Sequence, residues 1–331
     1  MNQLVHLEPV RHPFDASRSH DREMFEPDRP FRVAEAVRNG ISRESLRTSA
    51  WDKPFHGVRA PSGSIFGIEQ LCAAYATKMA TGSLFCGITA ARLWRMPLPA
   101  YVGDSSGVEV AARAPRRAPQ GVGVLGTQYD GSKVSAAMLH GLPVFSPVDT
   151  WCSLAAFLDP TDLIAVVDHL LGTPGALARV APEAFETAIA RRHAGRGTAA
   201  MRWALQRARP GARSRTETLT RVVLRSAGIP EPSLNHRIVH AGRRFYVDLA
   251  WPEVRFGLEY DGDHHRGPGQ FLDDISRQEL IQDDAWLLMR MTRRELFEHP
   301  EELIVRVARR LSERGWRGIA LDMRHLVRPR A

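Results

Sequence analysis

The sequence has few of the residues that disulfide or metal crosslinks require. Its 331 residues include three cysteines, Cys72, Cys86 and Cys152, without CxxC or Cys/His ligand spacing. We therefore expect neither a disulfide framework nor a structural zinc site. The chain also has no apolar run of membrane length, and its first residues lack the apolar core of a secretory signal. These absences predict a cytoplasmic protein with reduced thiols and no membrane partner.

Lysine is scarce, although the chain is strongly basic. Only three of the 45 basic residues are lysines, namely Lys53, Lys78 and Lys133. The formal net charge is +8 and the isoelectric point is near 10.0, which favours a polyanionic partner without identifying one. Arginine suits such a partner because its planar guanidinium binds phosphate through two parallel hydrogen bonds.

Internal repeats and glycine-rich nucleotide loops are also missing. The hydrophobic content of 44% and the charged content of 25% are ordinary for globular proteins, and the length predicts two or three domains. The order of helical, alternating and polar segments predicts an α/β protein in five parts: a loose arm (1–30), a winged helix-turn-helix (31–62), a mixed α+β region (63–207), a linker (208–213) and a C-terminal α/β domain (214–331).

Residues 31–62 show the order of a winged helix-turn-helix. VAEAVRNG predicts a short helix that ends at Gly40, ISRESLRT predicts a second helix with Ser42 as its N-cap, and WDKPFHGVRAP predicts a β wing. Arg43 and Arg47 would then lie on the exposed face of the second helix and contact DNA. A helical pair that only packs against its neighbours has the same pattern, so both interpretations stay open.

The stretch 244–266, RFYVDLAWPEVRFGLEYDGDHHR, predicts a two-stranded hairpin that gathers acids. A tight turn through residues 251–254 would set Asp248 across from Gly257 and diagonal to Glu259. Asp248, Glu259 and Asp261 would then crowd one face. Three like charges raise one another's pKa values unless a cation joins them, and oxygen ligands of this kind suit Mg²⁺ or Mn²⁺.

Two further features of the hairpin bear on this metal site. Gly257 has no side chain and would leave room for the ion. The structural alternative is a solvated edge hairpin, whose acids pair with Arg255 and Arg266. Both interpretations remain open from the residues alone.

The segments around the hairpin predict an α-β-β-α-β-α order. SRTETLTRVVLRSAG reads as a helix with Ser214 and Glu217 in a capping box, which also brings the Glu217 carboxylate into reach of a neighbouring site. FLDDISRQELIQDD predicts a helix, and AWLLMRMT predicts a strand that carries Arg290. Further upstream, Asp168 lies in a predicted helix, where we expect a structural role at a packing edge.

From Ser214 to about Leu311 the chain resembles the very-short-patch-repair-like endonuclease domains, a branch of the PD-(D/E)XK nuclease superfamily. The motifs that carry the resemblance are SRTET, AGIPEP, VDLAWPE, LEYDGDHH, the D-x-x-R of residues 274–277, and AWLLMR. The resemblance implies a restriction-endonuclease-like α/β fold, with Asp248 and Glu259 as metal ligands. It also implies that the polar site includes Glu217, Asp261, His265, Arg277 and Arg290.

The chain departs from the common superfamily pattern at one position. A lysine usually follows the second acid after one residue, but here that position is Asp261, and no lysine occurs after Lys133. The very-short-patch branch likewise lacks this lysine and uses histidine. The resemblance therefore implies that His265, for which the adjacent His264 could substitute, or the metal itself takes over activation of water.

Residues 31–171 resemble the AbiEi-type antitoxin and regulator proteins, on the motifs GISRESL, GVRAP, TAARLWRMPLP and GLPVFSPVDTW. This resemblance implies a DNA-binding region and a toxin or other regulatory partner. Together the two resemblances predict a Mg²⁺-dependent (or Mn²⁺-dependent) DNA endonuclease, acting in DNA repair or phage defence. The alternative is a non-catalytic regulator with a degenerate nuclease fold. RNA as the substrate also stays open.

Overall fold

The computed structural model describes residues 26–103, 107–192, 195–240, 242–261 and 285–331. These residues form a mixed α/β protein with three sheets, so the predicted α/β class is confirmed. They divide into two compact units, one made of 26–93 with 107–146, and the other of 94–103 with the described residues from 147 onward. The predicted boundary at 62 lies within the first of these units, and the predicted linker 208–213 lies within the second.

The first unit contains two sheets and three helices. The smaller sheet has the strand order β1-β3-β2, and the larger one has the mixed order β6-β5-β4-β8-β7. The elements are β1 (Phe31–Arg32), α1 (Val33–Arg38), β2 (Trp51–Asp52), β3 (Val58–Pro61), α2 (Ile68–Ala76), β4 (Ser83–Phe85), α3 (Gly87–Leu93), β5 (Val108–Arg113), β6 (Val124–Tyr129), β7 (Ala136–Leu139) and β8 (Leu142–Phe145).

The prediction of a second helix in the helix-turn-helix is wrong. After α1, only a single 3₁₀ turn forms, over Ser45–Arg47, and the Ser42 hydroxyl accepts a hydrogen bond from the Ser45 N–H at 3.1 Å. Leu46 is the one buried residue of that turn, so the segment lacks the apolar stripe that stabilises a longer helix by packing. Arg43 and Arg47 are exposed, as predicted, but they do not lie on a recognition helix.

The second unit starts with a helical part and continues into a four-stranded sheet. None of the helices in the described ranges has the length and apolar character that crossing a bilayer requires. The elements are α4 (Pro147–Leu154), α5 (Pro160–Gly172), α6 (Pro182–Arg191), α7 (Thr198–Arg207), α8 (Arg215–Ser226), β9 (Ser233–His240), β10 (Arg243–Trp251), β11 (Phe256–Asp261), β12 (Leu287–Thr292), α9 (Arg293–Phe297) and α10 (Pro300–Glu313).

The sheet of the second unit has the order β12-β11-β10-β9. Strand β10 runs antiparallel to β9 and β11, whereas β12 runs parallel to β11. Helices α8 and α10 bury their apolar faces against it, in a core that includes Leu219, Val223, Leu249, Leu258, Leu303 and Val307. Burial of apolar area in this core is the main force that holds α8 over the sheet. The helix predicted for residues 271–284 lies outside the described residues.

The predicted hairpin exists, but its register differs from the prediction. Ala250, not Asp248, lies across from Gly257, and Trp251 pairs with Phe256. The connection is longer than a tight turn, because Pro252–Val254 form a 3₁₀ turn and Arg255 follows in a left-handed conformation with φ of 50°. The two added residues shift the whole register by two positions.

Candidate active site

The carboxylates of the hairpin meet where the pairing of β10 with β11 ends. The last paired residues are Leu249 and Leu258, and extending this register by one residue puts Asp248 opposite Glu259. Asp248 Oδ2 accepts a hydrogen bond from the Tyr260 N–H at 3.0 Å. The corrected register thus brings the two predicted metal ligands closer together than the predicted register did.

Strand β10 is irregular at Asp248. Val247 and Ala250 pack in the same small cluster with Trp286, although residues three apart in a regular strand face opposite sides of the sheet. The ladder between β9 and β10 pairs Val247 with His236 and Leu249 with Leu234, but it omits Asp248 and Asn235. Asn235 has a left-handed φ of 46°. Such interruptions of a ladder are common beside active sites, where they redirect a side chain.

Glu217 reaches the same place from the first turn of α8. Its carboxylate is buried and accepts three hydrogen bonds: from the Arg213 N–H to Oε2 at 2.8 Å, from Asn235 Nδ2 to Oε2 at 2.6 Å, and from Ser214 Oγ to Oε1 at 3.0 Å. Ser214 is the N-cap, as predicted, since its hydroxyl accepts from the Glu217 N–H. In the predicted capping box, the Glu217 carboxylate would accept a hydrogen bond from the Ser214 N–H. It accepts from the Arg213 N–H instead.

The surroundings of Glu217 disfavour its charge. Burial raises the pKa of this carboxyl, the nearby charge of Asp248 raises it further, and the hydrogen bonds from Arg213, Asn235 and Ser214 act in the opposite direction. All three donors are neutral groups. Two carboxylates therefore lie close enough to repel each other, which is the electrostatic condition that a bound cation would relieve.

Arg290 and Asp261 lie beside the acids, on β12 and at the end of β11. Arg290 is the parallel-strand partner of Glu259, and its Nη1 lies 3.9 Å from Asp261 Oδ2. Both side chains are partly exposed, so the pair contributes little to stability. Of the predicted site residues, the structure thus brings Glu217 close to Asp248, and Arg290 close to Asp261 and Glu259.

The prediction that Gly257 leaves room for an ion is wrong. A Cβ atom at this position would lie 2.6 Å from both Val247 Cγ1 and Leu288 Cδ2. The missing side chain is needed for the close packing of neighbouring strands, since atoms this near would overlap. A cation would have to be held on the Asp248 and Glu259 side of the site.

The side chains present fit a Mg²⁺ ion that two carboxylates hold. Within the described ranges, no set of three acidic, histidine or cysteine side chains is gathered closely enough to hold a metal. Mg²⁺, however, is commonly held by one or two carboxylates, and water and substrate phosphate complete its shell. Asp248 and Glu259 supply two such carboxylates. The predicted site residues His265 and Arg277, and the alternative His264, lie outside the described residues.

Sequence reasoning missed Asn235, which links β9 to Glu217. Besides its bond to Glu217, its Nδ2 donates to the Gly211 carbonyl at 2.8 Å. Asparagine is depleted in strands and tolerates left-handed backbone, so an Asn within SLNHRIVH was the available signal of an irregular position. The hydrogen bond to Glu217 joins residues far apart in the sequence, and nothing local predicts it.

Two mycobacterial proteins are similar to this chain. They are uncharacterized protein MT2308 of Mycobacterium tuberculosis strain CDC 1551 / Oshkosh and uncharacterized protein Rv2248 of strain ATCC 25618 / H37Rv. Each is 30% identical over 192 residues, which cover 57% of this chain and 69% of the relative. No family model matches the chain. No solved structure matches it significantly.

Proposed function

The chain belongs to the family of these two mycobacterial proteins, and since their names state no activity, we propose its function from its own site: a metal-dependent DNA endonuclease that hydrolyses phosphodiester bonds. The observation that carries the proposal is the approach of buried Glu217 to Asp248, with three hydrogen-bond donors on Glu217 among the described residues, all of them neutral. Repelling acids destabilise a fold, and such costs are concentrated at functional sites.

Asp248 and Glu259 would hold the ion, which would be Mg²⁺ or Mn²⁺. When bound, such an ion polarises a phosphoryl oxygen and acidifies water. The hydrogen bond from the Tyr260 N–H fixes one oxygen of Asp248, and the bonds to Glu217 fix that carboxylate near Asp248. Arg290, next to Glu259, would neutralise phosphate charge, and His265 is the predicted proton acceptor.

The arrangement of elements supports the finer fold assignment. Helix α8 carries Glu217, and the adjacent strands β10 and β11 of the sheet that β9 and the parallel strand β12 complete carry Asp248 and Glu259. This is the arrangement that the resemblance to very-short-patch-repair-like domains implies. We therefore propose a restriction-endonuclease-like fold for the second unit, and a supporting DNA-binding role for the first.

One observation favours a second function, that of a non-catalytic DNA-binding regulator. Glu217 already has three hydrogen bonds, and Arg290 already pairs with Asp261, so part of the polar site is satisfied without an ion. A degenerate nuclease fold that only binds DNA would have the same contacts. A toxin or other regulatory partner belongs to this second proposal.

Plasmid nicking separates the two functions. Wild-type protein, Asp248→Asn and the charge-matched control Glu186→Gln, an exposed acid of α6, are incubated with supercoiled plasmid in Mg²⁺, Mn²⁺ or EDTA. The enzyme proposal expects metal-dependent nicking by the wild type and the control, and at least about 100-fold less by Asp248→Asn, since even residues that only support metal ligands cost 10–100-fold. A parallel incubation with RNA tests the other nucleic acid.

Two further readouts complete this experiment. Asparagine keeps an oxygen that can accept from the Tyr260 N–H, so the variant should retain the fold, which thermal melting checks. Mn²⁺ binding, measured by calorimetry, should weaken in Asp248→Asn and not in Glu186→Gln. DNA binding by the wild type, with no cleavage under any of the metal conditions, would overturn the enzyme proposal in favour of the regulator.

A further inference from the structure

The hairpin formed by β9 and β10 has a one-sided charge. Between Glu231 and Asp248 the sequence contains no acid, but it contains Arg237, Arg243 and Arg244. All three arginines are exposed. In the described part of the chain, none of them forms an ion pair with a described acid. The hairpin therefore presents net positive charge next to a carboxylate site.

The arginines of helix α10, in the same unit, are paired with acids. On α10, Arg309 and Arg310 both pair with Glu313, at 3.7 and 2.8 Å, and Arg306 pairs with Glu295 at 2.7 Å. The hairpin and helix α10 both carry arginines, but among the described residues only those of α10 have acids paired with them. The arginines of the hairpin thus differ from those of α10 in that they form no ion pair with a described acid.

A fourth arginine, Arg213, precedes α8 and packs against this hairpin through an aromatic contact. The guanidinium of Arg213 lies 4.4 Å from the ring centroid of Tyr246, which is 40% exposed and pairs across the strands with Arg237. A guanidinium held on a ring has already lost much of its side-chain freedom, and its N–H groups remain available in the plane of the fork. Such an arginine is preorganised to bind phosphate.

Arg213 also joins the hairpin to the acids. Its backbone N–H donates to Glu217 Oε2 at 2.8 Å, while its side chain covers Tyr246. Along β10, Arg244 precedes Asp248 by four residues, or ~13 Å at ~3.3 Å per residue. One DNA strand advances ~3.4 Å per phosphate along the helix axis, so this distance spans about four phosphates.

We propose that the surface formed by Arg213, Arg237, Arg244 and Tyr246, which we name the basic hairpin, binds the backbone phosphates of DNA and leads one strand to the acids. The ligand class rests on the proposed function, but binding does not require cleavage. The contacts are to phosphate, so they set the position of the duplex and carry no sequence preference. The hairpin is a different surface from the predicted contacts at Arg43 and Arg47.

The test measures binding without metal, so that cleavage plays no part. A fluorescent duplex of about 30 base pairs is titrated in EDTA at several salt concentrations, with the wild type, Arg237→Gln/Arg244→Gln, and the control Arg309→Gln/Arg310→Gln. Both variants lose two positive charges. Each lost phosphate contact lowers the salt slope by about one, so we expect a slope smaller by ~2 for the hairpin variant and little change for the control.

Thermal melting confirms that each variant is folded, which exposed arginines should allow. Equal slopes for the two variants would overturn the proposal, because the loss would then reflect net charge alone. A wild type that does not bind the duplex, or that binds only vesicles of anionic phospholipid, would overturn it as well. Failure of the nuclease proposal is distinct: plasmid stays uncut while the hairpin variant still loses its salt slope.

Discussion

Helix α8 contains one buried carboxylate, Glu217, and packs against another, Asp168 of α5, and the environments of the two differ. Asp168, on α5, is fully buried and contacts Arg221 Nη2 at 3.0 Å, Thr218 Oγ1 at 2.8 Å and the Arg209 N–H at 2.6 Å. Glu217, one turn before Arg221, accepts hydrogen bonds from three neutral donors of the described residues, and the nearby charge of Asp248 raises its pKa. The same helix thus carries a charge-compensated acid site at one position and a repelling one at the other.

The difference separates a structural site from a candidate functional one. Burial raises the pKa of Asp168 to about 6, against the opposing effects of Arg221, the Arg209 N–H and Thr218, so the group is still mostly ionised at neutral pH. Asp168 therefore has a structural role that needs no ligand, since the arginine that compensates its charge is itself buried. Glu217, in contrast, has another acid, Asp248, as a charged neighbour that raises its pKa.

The largest effect should come from breaking the compensated site. Asp168→Ala removes the buried partner of Arg221, which keeps only Glu231 Oε1 at 3.2 Å and the Arg207 carbonyl at 2.9 Å. Because breaking a buried ion pair leaves an uncompensated charge, we expect a loss of roughly 3–5 kcal/mol in the free energy of unfolding. Urea denaturation followed by tryptophan fluorescence measures it.

Glu217→Gln is the matched comparison for that experiment. Glutamine keeps an acceptor oxygen and removes the repulsion with Asp248, so its cost should stay within about 1 kcal/mol of the wild type. If both substitutions destabilise the protein equally, the distinction between the two carboxylates fails. A large loss of unfolding free energy for Asp168→Ala, together with a small one for Glu217→Gln, would support the distinction between the two carboxylates.

An intermediate effect is expected at Asn235, which supports the repelling site. Asn235→Ala removes two hydrogen bonds and leaves a residue with a Cβ atom at a φ of 46°. We expect a loss of roughly 2–3 kcal/mol, from an unsatisfied buried acceptor and the left-handed backbone. Asn235→Gly removes the same bonds without the backbone cost, so it should be milder. Equal losses for both would show that backbone conformation contributes nothing here.

The sequence predicted the elements of the second unit better than their connections. Alternation along residues 244–250 and 256–261 identified both strands, although β10 does not keep one face: Phe245 and Val247 pack with Trp286, whereas Leu249 packs under α8 and α10. The register was wrong by two positions, since it depended on the left-handed Arg255, and no local signal forces an arginine into that conformation. Because the shift is an even number of residues, Asp248 moves from a position across from Gly257 to one across from Glu259 when the ladder is extended by one residue.

Features that depend on packing could not be predicted. The second helix of the helix-turn-helix was expected from Ser42 and its periodicity, but one buried residue, Leu46, does not stabilise a helix of several turns. Asp168 was expected at a packing edge, yet it is fully buried, because Arg221, 53 residues later, compensates its charge. Contacts over such separations are decided by tertiary structure.

The smallest expected effect is on the pH dependence of stability, through the pair Glu217 and Asp248. The pKa of Glu217 is raised above its ordinary 4.5, so the folded state holds this proton more tightly than the unfolded chain. Its contribution to stability is therefore full below about pH 4.5 and is lost as pH rises through the raised pKa. In Asp248→Asn the repulsion disappears and burial remains, so the loss should become smaller.

Urea midpoints of the wild type and Asp248→Asn, measured from pH 4 to pH 8, test this. Asp168 adds a loss of the same sign, because its pKa is also raised, to about 6, but it is present in both proteins and cancels in the difference. A difference that grows with pH in favour of the variant is the expected result. Carboxyl ¹³C NMR should show the pKa of Glu217 moving down in the variant. Parallel pH profiles would mean that the two carboxylates do not interact, and the contrast with Asp168 would then rest on hydrogen bonding alone.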